Sequence, residues 1–380
     1  MTHEQDWFGA AVRQPTSELR RRTGDLAAFA EIREVELSNG QERGVRALQI
    51  RNADGLEVEV LVDRAFDIGD VRYRGVPVSW RSGNGYRHPS LHEVDSEDGL
   101  AWLRTLDGFL VSGGLDHALF GGEYDASHYH YPPKPTVRHG LHGRLSSLPA
   151  RLLAVEEDWQ ENGGVLRVRG EVVQATSFGE HLRLRRTVEV DVFGSGFRID
   201  DEVVNLGFER TPHMFLYHIN IGWPVVDEGS VFVGAVKRRL WQSDSVDEQG
   251  APYETIVDPR RNFVEQVWEH ELAAGDDGLH RVALIRQDGE FGVELAWDAS
   301  AMPSFFEWQN LREGQYGIGL EPSTHHVAGE AAAREDGSMI WLEHGESRRY
   351  RTAVTLLDGA RATAAARSRV QGIQGKKEAE

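Results

Sequence analysis

The stretch Leu-Arg-Leu-Arg-Arg-Thr-Val-Glu-Val-Asp-Val-Phe-Gly-Ser-Gly-Phe-Arg-Ile-Asp-Asp-Glu-Val, residues 182–203, decides the fold class. Up to Val192, its apolar side chains occupy even positions, and Arg186 is the one charged residue on that face. After Gly194-Ser195-Gly196 they occupy odd positions, from Phe197 to Val203. Alternation with a period of two on both sides of a glycine-containing turn predicts an antiparallel β-hairpin.

The same alternation recurs along most of the chain. It predicts strands at Leu56–Val62 and at seven later segments: Val231–Val236, Val282–Arg286, Gly292–Ala296, Phe305–Trp308, Tyr316–Leu320, Met339–Glu343 and Tyr350–Leu357. Helical character is confined to part of Ser90–Leu106 and to Ala360–Val370. We therefore expect an all-β protein in which two large antiparallel sheets pack face to face.

The predicted organisation is one large domain with short terminal segments. The strand pattern runs through residues 26–358 without a Pro/Gly/Ser-rich linker, which predicts a single domain. Residues 1–25 read as an N-terminal extension and residues 359–380 as a C-terminal tail, frayed over 371–380. In the segment after the first of these strands, Arg64 has an even number and Asp67 an odd one. A regular strand would point these two side chains to opposite faces, so we predict a bend or bulge there.

Composition limits the classes of partner. Lys and Arg total 42 against 61 Asp and Glu, a formal net charge of −19, which disfavours nucleic acids and anionic membranes. The sequence has no cysteine, which excludes disulfides, thiolate metal sites and thiol nucleophiles. No apolar segment resembles a signal peptide or a membrane span, so we expect a cytoplasmic protein. A homodimer is compatible with the sequence, which does not fix the oligomeric state.

Four segments carry groups suited to chemistry. Three of them combine imidazole, amide, guanidinium or carboxylate groups with glycine: Arg138–Ser146, Tyr217–Pro224 and Tyr316–His326. The fourth, Phe305–Gln309, places an aromatic ring beside a carboxylate and an amide, which suits a sugar. Each segment alone also fits a buried core strand or a polar loop.

Strand geometry sharpens the interpretation of Tyr217–Pro224. His218 and Asn220 are two residues apart, so both side chains point to one face of a strand. Glu321 ends a glycine-bearing apolar strand, where partial burial would raise its pKa and suit it to act as a base. An imidazole and a carboxylate of this kind form a pair suited to proton transfer.

The order of these motifs resembles the galactose mutarotase (aldose 1-epimerase) superfamily. It comprises His142-Gly143-Arg144, then His218-x-Asn220-x-Gly222, then Glu321-Pro322. Further segments look like an uncharacterised bacterial branch of that superfamily: Arg64-x-x-Asp67-Ile68-Gly69, Gly113-Gly114-Leu115 and Gly345-Glu346-x-x-x-Tyr350. The resemblance extends from about Leu26 to Asp358.

This resemblance implies a β-supersandwich that binds a sugar or sugar derivative on one sheet. It implies that His218 protonates the ring oxygen and that Glu321 takes the proton from the anomeric hydroxyl. The sugar-binding residues would be His142, Arg144, Arg64, Asp67, Asn220, Glu307 and Trp308. The guanidiniums of Arg64, Arg138 and Arg144 would also suit an anionic sugar, and a structural salt bridge from Arg64 to Asp67 or Asp70 is the alternative for the first of them.

Two other functions remain open at this point. A metal-dependent sugar epimerase or isomerase would draw ligands for a divalent cation from His128, His130, His142, His218 and Glu321. A non-catalytic sugar-binding protein could use the same fold. The sequence has no Gly-x-Ser-x-Gly elbow, Walker A motif or dinucleotide-binding fingerprint, so hydrolase and nucleotide-dependent classes lack support. The simplest prediction is an enzyme without a cofactor.

Overall fold

The computed structural model describes residues 13–249 and 252–377. The first elements are a short helix followed by a five-stranded antiparallel meander: α1 (Thr16–Arg20), β1 (Glu31–Glu36), β2 (Arg46–Arg51), β3 (Leu56–Leu61), β4 (Asp67–Tyr73) and β5 (Val76–Pro77). The bend predicted after β3 is confirmed. Ala65 and Phe66 adopt left-handed backbone angles, with φ of 50° and 61°, just before β4 begins.

An irregular region follows, with three short strands: β6 (Leu110–Gly113), β7 (Gly122–Asp125) and β8 (Thr136–His139). The predicted helix within Ser90–Leu106 is wrong in type. The chain forms three separate 3₁₀ turns there, Pro89–Leu91, Glu97–Gly99 and Ala101–Arg104. We call residues 89–104 the strap, because they cross one edge of the site described below. Glu97 and Asp98 have φ of 55° and 54°, which prevents a continuous helix.

Four long strands then form consecutive hairpins: β9 (Arg151–Gln160), β10 (Gly163–Ala175), β11 (His181–Asp191) and β12 (Gly196–Asn205). The hairpin predicted from residues 182–203 is confirmed, with Val190 opposite Phe197 beside the turn. Arg186 points inward with the apolar residues of β11, as its even number requires. It is fully buried.

The remaining elements complete two large sheets: β13 (Thr211–Pro212), β14 (Leu216–Gly222), β15 (Val231–Gly234), β16 (Val236–Gln242), α2 (Asp244–Gln249), β17 (Gln266–Leu272), β18 (Leu279–Ile285), β19 (Phe291–Asp298), β20 (Ser304–Asn310), β21 (Gly317–Ser323), α3 (Gly329–Asp336), β22 (Trp341–Leu342), β23 (Ser347–Asp358) and α4 (Ala360–Lys377). The eight-stranded sheet has the order β15-β18-β19-β23-β12-β11-β10-β9, and the six-stranded sheet has the order β16-β17-β20-β21-β14-β6. Two small pairs, β7-β8 and β13-β22, lie outside them.

A single apolar core joins the sheets. It includes Leu184 and Val188 from the eight-stranded sheet, Ile219 and Leu320 from the six-stranded sheet, and Val60 from the N-terminal meander. Burial of this continuous apolar surface is the main force that holds the layers together. The all-β prediction is therefore confirmed.

Helix α4 packs on the outer face of the eight-stranded sheet. Ala366 is fully buried against Ala283, Ile285 and Leu357. The helix continues to Lys377, so the prediction of a frayed segment from residue 371 is wrong for residues 371–377, and the end of that predicted tail, 378–380, lies outside the described residues. None of the helices in the described ranges is both long and apolar enough to cross a membrane.

Candidate functional site

Strand β14 lies between β21 and β6 and separates two kinds of side chain. Tyr217, Ile219 and Ile221 point into the core between the sheets. His218 and Asn220 point to the other face, and both are buried. The strand period therefore places an imidazole and an amide side by side on a face that is not part of the main core.

Glu321 reaches His218 from the neighbouring strand. His218 Nε2 lies 3.1 Å from Glu321 Oε1. The position opposite Asn220 on β21 is Gly319. A Cβ atom there would lie 2.8 Å from His218 Cε1 and 2.9 Å from Glu321 Oε1. Glycine at this position leaves the space that the imidazole and the carboxyl group occupy.

Asn220 fixes the orientation and the tautomer of His218. The amide of Asn220 donates through Nδ2 to the carbonyl oxygen of Gly108 at 3.1 Å, which turns its Oδ1 towards the imidazole. That oxygen lies 2.5 Å from His218 Nδ1. Because an amide oxygen only accepts, Nδ1 carries the hydrogen, and the lone pair of Nε2 faces Glu321 in the neutral ring.

Burial shifts the two pKa values in opposite directions. It lowers the pKa of His218 to about 4, although the hydrogen bond to Asn220 opposes the shift. Burial raises the pKa of Glu321 well above its ordinary value, and the negative charge of Glu265 adds to this. The neutral forms of both groups are favoured, so one transferable proton belongs to the pair at neutral pH.

Indole rings form the walls around this pair. The ring centroid of Trp102 lies 5.3 Å from that of His218, and the centroid of Trp308 lies 5.4 Å from it. Trp80 contacts Trp308 edge-on at 5.6 Å. The indole N–H of Trp308 donates to Glu265 Oε2 at 2.8 Å, which fixes the ring. A polar pair between aromatic walls is a common arrangement for sugar binding.

His142 lies beside His218 and contacts the same indole, that of Trp102. Its ring centroid is 4.5 Å from Trp102 and 6.0 Å from His218. Its Nδ1 accepts a hydrogen bond from the backbone N–H of Leu119 at 3.3 Å, and burial holds its pKa well below the ordinary value. The following Gly143 has φ of +74°, and a Cβ atom there would lie 2.3 Å from the carbonyl oxygen of His117. Packing therefore requires the glycine that follows His142.

Arg144 binds protein groups next to this loop. Its Nη1 faces His139 Nδ1 at 3.2 Å, and its Nη2 donates to the carbonyl oxygen of Arg138 at 2.9 Å. The same nitrogen pairs with Asp95 of the strap at 3.1 Å. These bonds join the strap to the loop that carries His142.

Arg64 lies beneath the site rather than beside His218 and Glu321. It is buried, and its guanidinium donates to three backbone carbonyl oxygens, those of Thr105 (3.3 Å), Asp107 (2.5 Å) and Leu110 (3.2 Å). Its hydrogen bonds therefore brace the segment between the strap and β6.

Asp67 belongs to a buried ionic cluster between the sheets. It accepts from the hydroxyl of Ser112 at 2.6 Å and pairs with Arg186 at 2.6 Å. Arg186 also pairs with Asp201 at 2.7 Å, and the hydroxyl of Tyr217 donates to Asp201 at 2.6 Å. The cluster lies on the face of β14 opposite to His218, so it supports the sheet under the site.

The predicted pair Glu307 and Trp308 is split by the strand period. Trp308 faces His218, whereas Glu307 is fully buried on the opposite face of β20. There its carboxylate accepts from Gln309 at 2.8 Å and lies 3.4 Å from His270. The structure therefore does not bring Glu307 to the pair.

The histidines of the predicted metal set are dispersed. His130 is exposed and lies 3.7 Å from Glu209. His128 packs edge-on against Trp341 at 5.0 Å, where burial lowers its pKa to about 4. Neither joins His142, His218 and Glu321 in a group with metal-binding spacing, as far as the described residues extend.

A different group has ligand atoms close enough for a cation: His117, His139 and Glu330, all buried. Two of its members, His117 and Glu330, already have hydrogen-bond partners. His117 Nδ1 lies 2.7 Å from Glu330 Oε2, and His117 Nε2 lies 3.0 Å from the carbonyl oxygen of Phe120. Arg334 donates to the other oxygen of Glu330 at 2.9 Å. Because both nitrogens of His117 face acceptors, this group fits a hydrogen-bonded network better than a metal site.

Three residues near the pair were missed by the sequence analysis: Trp80, Trp102 and Glu265. Trp102 stands in an irregular segment, where no periodicity indicates the direction of a side chain. Trp80 follows β5 and Glu265 precedes β17, so only the strand pairing brings them to Trp308. For Trp102 the available signal was the irregular segment 81–125, which is rich in Gly, Asp and His.

Comparison with solved structures identifies proteins that share this fold. A candidate aldose 1-epimerase from Klebsiella pneumoniae superposes with a TM-score of 0.82 at 23% sequence identity, covering 90% of this chain and 88% of that one. A galactose mutarotase-like protein from Clostridium acetobutylicum gives a TM-score of 0.59 at 11% identity, covering 87% of this chain and 99% of that one. The galactose 1-epimerase of Lactobacillus acidophilus gives 0.54 at 13% identity, with coverage of 87% and 99%.

These likenesses confirm the galactose mutarotase-like fold that the motif order predicts. No curated protein matches the sequence. The family described as a domain of unknown function, DUF4432, matches residues 42–356, which is most of the chain. The protein therefore belongs to the DUF4432 family and has the galactose mutarotase-like fold.

Proposed function

We propose that the protein is an aldose 1-epimerase-like isomerase, which interconverts the anomers of a sugar by opening and closing its ring. The observation that carries the proposal is the buried contact of 3.1 Å between His218 Nε2 and Glu321 Oε1. Anomer exchange requires one group that gives a proton to the ring oxygen and one that takes a proton from the anomeric hydroxyl. A buried pair that shares one proton meets this requirement.

The reaction begins from the imidazolium–carboxylate form of the pair, which arises when the proton moves from Glu321 to His218 along their hydrogen bond. Glu321 then takes the proton of the anomeric hydroxyl while His218 Nε2 gives its proton to the ring oxygen. The bond between C1 and the ring oxygen breaks, and C1 becomes a carbonyl carbon. Rotation of the carbonyl and the reverse transfers close the ring as the other anomer, so no proton is gained or lost.

Asn220 and His142 support these transfers in different ways. Asn220 holds the hydrogen of His218 on Nδ1, which leaves Nε2 as the atom that exchanges a proton. His142 lies with its ring 6.0 Å from that of His218 and within reach of a bound sugar, whose hydroxyls it would contact. Its low pKa keeps it uncharged, so it does not repel the imidazolium of His218 during the reaction.

The surroundings favour an uncharged sugar. Glu265 is the charged group that acts on Glu321, and it is negative. The hydrogen bonds of Arg64 and Arg144, which an anionic sugar would need, go to carbonyl oxygens, to His139 and to Asp95. The indoles of Trp80, Trp102 and Trp308 instead offer apolar faces to the C–H face of a pyranose.

A panel of free aldoses followed by NMR tests the proposal. Saturation-transfer or exchange spectra would measure anomer interconversion above the spontaneous rate, with and without a chelator. We expect Glu321→Gln and His218→Ala each to lower kcat by about a thousandfold or more, since each removes one of two proton-transfer groups. Glu294→Gln is the matched control, because Glu294 is also buried but lies on β19 of the eight-stranded sheet, where it pairs with Arg369 of α4.

Three outcomes separate the functions. Loss of exchange in both site variants, with the control active, supports the isomerase. Sugar binding without exchange in the wild-type protein would favour a non-catalytic sugar-binding protein. Activity that disappears with chelator and returns with a divalent cation would favour a metal-dependent epimerase or isomerase.

A further inference from the structure

The strap places one indole over both histidines of the site. The ring of Trp102 is 4.5 Å from His142 and 5.3 Å from His218, centroid to centroid. Only 3% of His218 and 5% of Glu321 is exposed, and Trp102 itself is 3% exposed. A sugar that reaches the anomeric position between these groups must therefore contact Trp102.

The indole N–H of Trp102 has no hydrogen-bond partner within the described residues, although it is buried. Leaving such a donor unpaired away from water is unfavourable, so buried indole N–H groups usually have an acceptor. Two other tryptophans follow that rule. Trp308 donates to Glu265 at 2.8 Å, and Trp297 donates to the carbonyl oxygen of Met302 at 3.0 Å. Trp102 and Trp159 have no such acceptor among the described residues, and of these two it is Trp102 whose ring lies against the histidines of the site.

The backbone around Trp102 is held in place, so the donor is prepositioned. The N–H of Leu141 donates to the carbonyl oxygen of Gly99 at 2.8 Å. This bond attaches the strap to residues 138–144, which we call the His142 loop. A Cβ atom at Gly140 would lie 2.9 Å from that same carbonyl oxygen, so this close approach needs glycine. The pairing of Arg144 with Asp95 adds a second attachment. A donor on a fixed support loses little entropy when it binds a ligand.

We propose that Trp102 is a specificity-determining residue of this site, whose indole N–H donates to one oxygen of the bound sugar while the ring packs on the sugar's C–H face. This proposal rests on the sugar-binding function proposed above. The ligand class is an uncharged pyranose that presents a hydroxyl group towards the strap. A sugar whose hydroxyl at that carbon has the opposite configuration, or is absent, leaves the donor unpaired and is selected against.

The decisive experiment compares wild-type protein and Trp102→Phe on a parent aldose and on its singly deoxygenated analogues. Phenylalanine keeps an aromatic face but removes the N–H. We expect kcat/KM for the parent sugar to fall about tenfold, since that factor corresponds to ~1.4 kcal/mol, a typical value for one hydrogen bond. For the analogue that lacks the acceptor, the two proteins should differ by less than twofold. Trp159→Phe is the matched control, because its buried indole N–H is also unpaired but lies on β9, far along the other sheet.

A second measurement does not depend on the activity of a variant. In an indole ¹H–¹⁵N spectrum, the resonance absent from Trp102→Phe identifies the N–H of Trp102 in the wild-type protein. Addition of the parent sugar should move that resonance downfield, and the Trp159 resonance should stay in place. Dissociation constants from calorimetry, measured for both proteins on the same analogues, replace kcat/KM if the protein binds sugars without turning them over.

The outcomes distinguish this proposal from the one on which it rests. A tenfold loss that vanishes for one analogue supports the hydrogen bond. An equal loss on every analogue, or no loss and no movement of the resonance, overturns it, even where the wild-type protein is an active isomerase. A wild-type protein that neither binds nor interconverts any sugar of the panel overturns both proposals.

Discussion

Replacing Asn220 by leucine tests whether the tautomer of His218 matters for function. Leucine has nearly the same shape as asparagine but cannot accept the hydrogen of His218 Nδ1, now 2.5 Å from the amide oxygen. An unpaired donor in this buried place costs ~1–3 kcal/mol. The ring avoids that cost by moving its hydrogen to Nε2, which removes the lone pair that faces Glu321.

The size of the effect follows from that cost. If the working tautomer becomes less favourable by ~1–3 kcal/mol, kcat falls roughly 5- to 150-fold, because about 1.4 kcal/mol corresponds to a factor of ten. The pKa of His218 also falls further below about 4, since its bond to Asn220 opposes the effect of burial. The assay is anomer exchange by NMR at pH 7, together with urea denaturation to measure the free energy of unfolding.

Gln309→Leu is the matched control for this variant. Gln309 is a fully buried amide in the same sheet, but it faces the other side and donates to Glu307 at 2.8 Å. We expect both variants to lose a similar free energy of unfolding and only Asn220→Leu to lose kcat. An Asn220→Leu protein that is folded and keeps kcat within twofold of wild type would refute the proposed role of the tautomer.

Three further predictions concern packing and pH. Gly319→Ala places a methyl group 2.8 Å from the ring of His218 and should lower kcat at least tenfold. Gly24→Ala is the control and should leave kcat unchanged, because its methyl group meets no atom within 4 Å. Equal rates for the two variants would contradict the packing argument. Burial lowers the pKa of His218 to about 4 and that of His213 to about 3, so the unfolded chain binds more protons below pH 6.5 and stability falls on acidification. For His218 this loss amounts to ~3 kcal/mol between pH 6.5 and pH 4, and the raised pKa of Glu321 opposes it in the total stability. The test is therefore the difference in unfolding free energy between the wild-type protein and His218→Ala, which should fall by ~3 kcal/mol over this window; a difference that is independent of pH would refute it. Arg186→Leu leaves two carboxylates buried without their cation and should cost ~3–5 kcal/mol of unfolding free energy; a loss below 1 kcal/mol by the same method would show that the cluster is not needed.

The period of the strands explains what the sequence could reveal. Alternation predicted the hairpin at residues 182–203 and placed His218 and Asn220 on one face, and both features hold in the structure. The same rule also separates Glu307 from Trp308, because neighbouring residues of a strand point to opposite faces. That consequence was available from the sequence, and it excludes one of the two from the site.

Contacts between distant segments were not available in this way. Arg186 appeared only as an interruption of an apolar face. Asp201 lies opposite it in the predicted hairpin, but its other carboxylate partner, Asp67, comes from β4, which the hairpin does not include. Trp102 stands in 3₁₀ turns, where backbone angles change from residue to residue and no side-chain period exists. Long-range pairing and irregular backbone therefore set the limit of what the sequence revealed about the site.

The contact between Gly99 and Gly140 has a consequence for the exchange of parts between related proteins. A Cβ atom at Gly140 would lie 2.9 Å from the carbonyl oxygen of Gly99, so a side chain at residue 140 would displace the strap. A chimera that receives the strap of a relative but keeps its own His142 loop would change the distance and angle between the indole of Trp102 and the imidazole of His142 from those in either parent. Segments 89–104 and 138–144 should thus be transplanted together when the specificity proposed for this site is redesigned.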